Sequence, residues 1–163
     1  LLVVPVQMAL IPMFSLYSDL GIFDTELSLI LFHTAFGLPF AIFLLRNFFI
    51  GIPKELLEAA RLDGASEWRI FTRVVLPLGL PAIASFAIFQ FIWVWNDLLV
   101  ATIFAPSSSL PLTQSLNSLS GTWGNQWFLQ SAGAFISIIV PLIVFFSLQR
   151  FFVRGLMAGA TKG

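Results

Sequence analysis

Within residues 79–104 of this 163-residue chain, four side chains able to do chemistry stand among apolar neighbours: Gln90, Trp93, Asn96 and Asp97. On one continuous helix Gln90, Trp93 and Asp97 fall at i, i+3 and i+7 and share a face, with Asn96 one turn from Trp93. An aromatic plane beside amide and carboxylate groups is the surface a sugar wants, because C–H faces stack on the ring and hydroxyls bond to the polar groups. The same groups serve equally well to tie neighbouring helices together, with Trp93 as packing. Asp97 is the only acid set well inside an apolar stretch. The lone His33 has no acid near it in sequence, reads as a satisfied hydrogen-bonding group, and is assigned no role. With no Cys, one isolated His and no paired intramembrane carboxylates, the sequence offers neither a catalytic constellation nor a metal cluster, which disfavours an intramembrane hydrolase or transferase.

The elements that must position these groups are membrane spans. Fifty-eight per cent of the residues are hydrophobic and 10% are charged, with a mean hydropathy of +0.96. A soluble domain of this size needs far more charged surface. The zero net charge argues against nucleic acid as a partner. Four apolar stretches, about 1–16, 27–45, 79–104 and 131–153, predict an all-α polytopic transmembrane helical bundle. The nineteen residues of the second would cover roughly 28 Å as a helix, close to the ~30 Å hydrocarbon core. The opening run lacks both the basic start and the cleavage site of a signal peptide, so the chain is expected to begin inside a clipped span, as the C-terminal part of a longer protein.

Charge sets the expected orientation. All eight basic residues lie in the segment after the second span or at and beyond the end of the fourth: Arg46, Lys54, Arg61, Arg69, Arg73, Arg150, Arg154 and Lys162. The positive-inside rule places that segment and both ends of the chain in the cytoplasm of a plasma (inner) membrane protein. The outer loop 105–130 is rich in Pro, Ser and Gly; it predicts irregular structure with one short helix around 112–119, and Trp123 and Trp127 as interfacial anchors.

The segment 52–77 is the most informative. Pro53 suits a first helical turn, Lys54 pairs with Glu58 and Glu58 with Arg61 by spacing, and Gly64 can take the left-handed conformation that ends a helix, which predicts a helix 54–63. Ser66 is a candidate cap for a second short helix that Pro77 stops. Such a hairpin can lie on the membrane surface. The small pair Ala59 and Ala60 beside Glu58 instead suits close approach by another protein's backbone.

Glu58-Ala59-Ala60, three residues, Gly64, nine residues and Val74-Val75-Leu76-Pro77 resemble the EAA loop of binding-protein-dependent ATP-binding-cassette importer permeases. Trp95-Asn96-Asp97 and Gln149-Arg150-Phe151-Phe152 with the tail 155–163 resemble the carbohydrate branch of maltose and α-glucoside type. The resemblance implies a six-span permease of which this chain is roughly the last four, without catalysis of its own. It also implies that Glu58, Ala59, Ala60, Asp63, Gly64, Leu76 and Pro77 couple to a separate ATPase and that sugar crosses by alternating access; the shared helix face is what makes Gln90, Trp93, Asn96 and Asp97 the expected lining of the substrate path. The implied partners are an ATP-binding-cassette ATPase subunit that binds the ATP, a second permease subunit, an extracytoplasmic solute-binding protein and the lipid bilayer. No G-x-x-x-x-G-K-[ST] occurs in the sequence, in keeping with ATP being handled elsewhere. The remaining alternatives are a permease for another solute and an ATP-independent transporter or channel.

Overall fold

The computed structural model describes residues 4–119 and 127–160, with side chains as far as residue 151. Among them the regular elements are helices: α1 (Val6–Asp19), α2 (Glu26–Ile50), α3 (Lys54–Leu62), α4 (Glu67–Ile70), α5 (Leu76–Trp95), α6 (Leu99–Phe104), α7 (Leu112–Ser118) and α8 (Trp127–Ala160). A π-helical turn, Phe71–Val75, carries α4 into α5 without a break. Among the described residues the fold is therefore all-α, that of a polytopic membrane protein. Three stretches, Glu26–Ile50, Glu67–Trp95 and Trp127–Phe151, are long and apolar enough to cross a membrane. The 25 residues of α2 reach about 37 Å at ~1.5 Å each, more than the ~30 Å core requires.

Two expectations change. The stretch 79–104 is not one span: α5 ends at Trp95, and a separate short helix, α6, follows. Asn96 and Asp97 cause the break by offering the backbone side-chain partners that compete with helix continuation. The Asn96 amide donates to Ile92 O at 2.8 Å, and the Asp97 carboxylate accepts from the N–H groups of Val100 and Ala101, starting a new helix. Pro77 does not stop the second helix of segment 52–77, which runs on as the start of the third apolar stretch. The π turn explains the tolerance, because Leu76 N–H reaches back five residues to Phe71 O and the ladder is already loosened where the proline N–H is missing. The first apolar stretch, expected as a clipped span, forms α1, 14 residues long. Residues 1–3, Trp123 and residues 161–163 lie outside the described residues.

One compact unit comprises Leu1–Pro39 with Gln90–Val144. Its core joins Leu10 and Tyr17 of α1, Phe32 of α2, and Val100 and Phe104 of α6. Phe104 is fully buried, 5.1 Å from the Phe32 ring and 5.4 Å from Tyr17. Inside lipid such contacts act through close packing rather than through transfer from water, and each aromatic pair adds roughly 0.5–1.5 kcal/mol. The C-terminal carbonyl of α6 would be an orphan, but the buried Ser28 hydroxyl donates to Phe104 O at 2.8 Å.

The second unit comprises Phe40–Phe89 with Phe145–Gly163. Small residues set its packing: Gly79, Ala82 and Ala84 are buried on α5, and the Phe49 ring lies 2.5–2.8 Å from where a Gly79 Cβ would stand. Phe40 meets Phe86 at 6.0 Å and Phe89 at 6.3 Å.

Candidate functional site

In the first unit α2, α5, the turn before α6, and α7 surround a cavity of about 500 Å³, lined by Leu29, Ile30, His33, Thr34, Gln90, Phe91, Val94, Trp95, Asp97, Ala101, Pro111, Leu112 and Thr113. Its walls are apolar and aromatic, and its few polar groups converge, which is the usual chemistry of a small-molecule site.

Asp97 is fixed by the helix it starts. Oδ1 accepts Val100 N–H at 3.2 Å and Oδ2 accepts Ala101 N–H at 2.9 Å, while the Thr113 hydroxyl of α7 donates to the Asp97 carbonyl at 2.7 Å. His33 of α2 brings Nε2 to 3.4 Å from Asp97 Oδ2, both side chains being 10% exposed. Trp93 stands edge-on against the His33 ring with centroids 5.2 Å apart. Gln90 reaches His33 O at 3.5 Å, and its amide lies 2.5–2.7 Å from where a Cβ on Gly37 would be, so only glycine leaves that space to Gln90. Trp95 stacks on Phe91 at 5.5 Å and donates its indole N–H to Ser137 O at 3.1 Å.

The structure thus brings Gln90 and Asp97 together at the cavity and places Trp93 behind His33 rather than on the lining. Asn96 is exposed and turned back to Ile92 O, away from the cavity. His33, Trp95 and Thr113 join the site although sequence reasoning passed over them. His33, given no role for want of a nearby acid, has one across the fold in Asp97. The only available signal was that these two are the ionisable groups deepest in apolar stretches, and such groups seek each other.

In the second unit the segment 52–77 presents an open surface. On α3, which buries no residue, Glu58 and Ala59 are exposed and Ala60 is half-buried. The helix ends at Asp63. Gly64 follows at φ +77°, donating to Arg61 O at 2.9 Å, while Ala65 N–H reaches Ala60 O at 3.1 Å. This is the paired closure that calls for glycine. Ser66 then caps α4 by accepting Arg69 N–H. Arg61 bridges the corner to Glu67 with contacts of 2.7 and 3.3 Å. That hydrogen bond and the Glu67 carboxylate charge raise Arg61 above its ordinary value. Leu62 and Trp68 stand 89% and 72% exposed beside this corner, and Leu76 and Pro77 are exposed at the start of α5.

Residues 1–157 match the family described as binding-protein-dependent transport system inner membrane component. The chain is 56% identical over 99% of its length to the osmoprotective compounds uptake permease protein of a Synechocystis strain, covering 55% of that protein. It is 55% identical over its whole length to the alpha-glucoside transport system permease protein of Rhizobium meliloti, covering 45% of it. With the arabinooligosaccharides transport system permease protein of Halalkalibacterium halodurans it shares 35% identity over its whole length and 58% of that protein. The chain spans about half the length of these curated relatives.

Proposed function

This chain belongs to the family of binding-protein-dependent transport system inner membrane components, and from that membership we propose that it forms part of the membrane-spanning permease subunit of an ATP-driven importer for sugars. The observation that carries the sugar reading is the cavity of the first unit, with Phe91 and Trp95 as aromatic walls and Gln90, Asp97 and Thr113 as polar ends. Aromatic faces stack on sugar C–H groups, and the convergent amide, hydroxyl and carboxylate groups meet ring hydroxyls. Trp93 acts on this path through His33. Relatives that are named for alpha-glucosides and arabinooligosaccharides support the same class.

Transport is coupled through the single permease domain's segment 52–77, which lies on the cytoplasmic side with both ends of the chain. Glu58, Ala59 and Ala60 form the face that meets a separate ATPase subunit; Asp63 and Gly64 set the corner, and Leu76 and Pro77 pass its movement to α5. The ATP is bound by that subunit, and sugar crosses by alternating access between this permease and a second one, delivered by an extracytoplasmic solute-binding protein. The open α3, which buries no residue, and the left-handed Gly64 corner support this reading. A second reading, import of a small osmoprotective compound, draws on the Synechocystis relative. Uptake by the full-length permease in its complex, offered a panel of α-glucosides, arabinose oligosaccharides and non-sugar osmolytes, separates the two. Unchanged uptake per assembled complex in both Gln90→Ala and Asp97→Asn would sink the proposed path.

A further inference from the structure

We propose that His33 Nε2 is the acceptor for a substrate hydroxyl in this cavity. The inference rests on the sugar-path reading and deepens it. His33 Nδ1 lies 3.0 Å from Leu29 O. A carbonyl oxygen can only accept, so Nδ1 carries a proton in either charge state of the ring. Nε2 is buried and has no hydrogen-bond partner of good geometry among the described residues; Asp97 Oδ2 lies 3.4 Å away. That oxygen already accepts Ala101 N–H and is itself an acceptor. In the neutral ring, therefore, two acceptors face one another at the cavity wall, and what the pair lacks is a donor.

Two donors fit. One is a proton on Nε2, which makes an imidazolium beside the carboxylate. The other is a ligand hydroxyl, and neighbouring hydroxyls of a polyol serve Nε2 and Oδ2 together. Beside the ring, α5 contributes the uncharged Gln90 and Trp93, α7 the uncharged Thr113, and the turn before α6 contributes Asp97. The ring is also aimed in advance, by the α2 carbonyl at Nδ1 and by the Trp93 edge at 5.2 Å, so little ordering is needed on binding. The favoured ligand class is a vicinal diol. A quaternary ammonium osmolyte without a hydroxyl has no N–H or O–H to give and cannot use this pair.

The test is equilibrium binding of labelled maltose and sucrose to the purified full-length transporter complex, without the solute-binding protein, at pH 8. Expected for the wild type is saturable binding. His33→Gln keeps an acceptor oxygen near the Nε2 position and should bind close to the wild type. His33→Asn keeps an N–H for Leu29 O but extends no further, so at pH 8 it should bind about tenfold more weakly, the size of one lost hydrogen bond. Wild-type affinity in His33→Asn, or a loss in His33→Gln as large as in His33→Asn, overturns the inference. If Gln90→Ala and Asp97→Asn weaken binding while the His33 variants do not, the sugar path stands and this inference alone falls. Absence of saturable binding of both sugars by the wild type overturns both.

Discussion

Asp97→Ala should cost the first unit a helix start. The carboxylate takes two backbone N–H groups, at 3.2 and 2.9 Å, while only 10% exposed, so water replaces little of what is lost. Deleting a cap costs about 0.5–2 kcal/mol, and this burial favours the upper end, about 2 kcal/mol. Asp97→Asn keeps one carbonyl oxygen for Val100 or Ala101 but turns the other position into a donor facing an N–H, which should cost about 1 kcal/mol. The folded-to-unfolded ratio then falls roughly 30-fold for Ala and roughly 5-fold for Asn. Reversible denaturation of the full-length protein in mixed micelles reads the order directly, with destabilisation of Ala greater than Asn and of Asn greater than wild type. An Asp97→Ala protein as stable as the wild type, or an Asn variant at least as destabilised as Ala, would refute the capping argument.

At φ +77° Gly64→Val should carry roughly 1–2 kcal/mol of backbone strain; uptake is expected to fall while the complex still binds ATP, and Gly64→Asn, which tolerates that region, should recover most of it. Gly37→Ala pushes only the flexible end of Gln90, so thermal stability should stay close to wild type while sugar uptake per complex drops; unchanged uptake would mean that the position of Gln90 does not matter. Single cysteines in the full-length protein test orientation: Ser66→Cys is expected to react with impermeant reagents from the cytoplasmic side and Ser108→Cys from outside, and external labelling at 66 in sealed cells would reverse the topology.

What was legible in the sequence is what short-range chemistry decides. Pro53, Gly64 and Ser66 mark the ends of α3 and α4 because caps and left-handed corners depend on a few adjacent residues, and the helix expected near 112–119 is α7. The break after Trp95 was also written locally, in Asn96 and Asp97 ahead of an apolar run, but the length and hydropathy of 79–104 outweighed it. The pairing of His33 with Asp97 had no local trace, since 64 positions separate them and only the fold closes the gap. Helix face alone misplaced Asn96, whose amide folds onto its own preceding turn. Pro77 misled in the opposite sense: a residue that usually ends a helix sits in one where the turn before it has been widened.

That widened turn, Phe71–Val75, works as an angular key. It holds one residue more than α-helical winding would use, and each residue turns an α-helix by about 100°. The azimuth at which Ser66–Ile70 leaves the α5 axis, and with it the direction in which Trp68 points, is therefore written into a single surplus residue. Removing one residue there would let the ladder close without a gap and leave every side chain downstream in register, yet swing the upstream corner about a quarter-turn. Homologous segments that differ by one residue in this turn would point their corners toward different quarters.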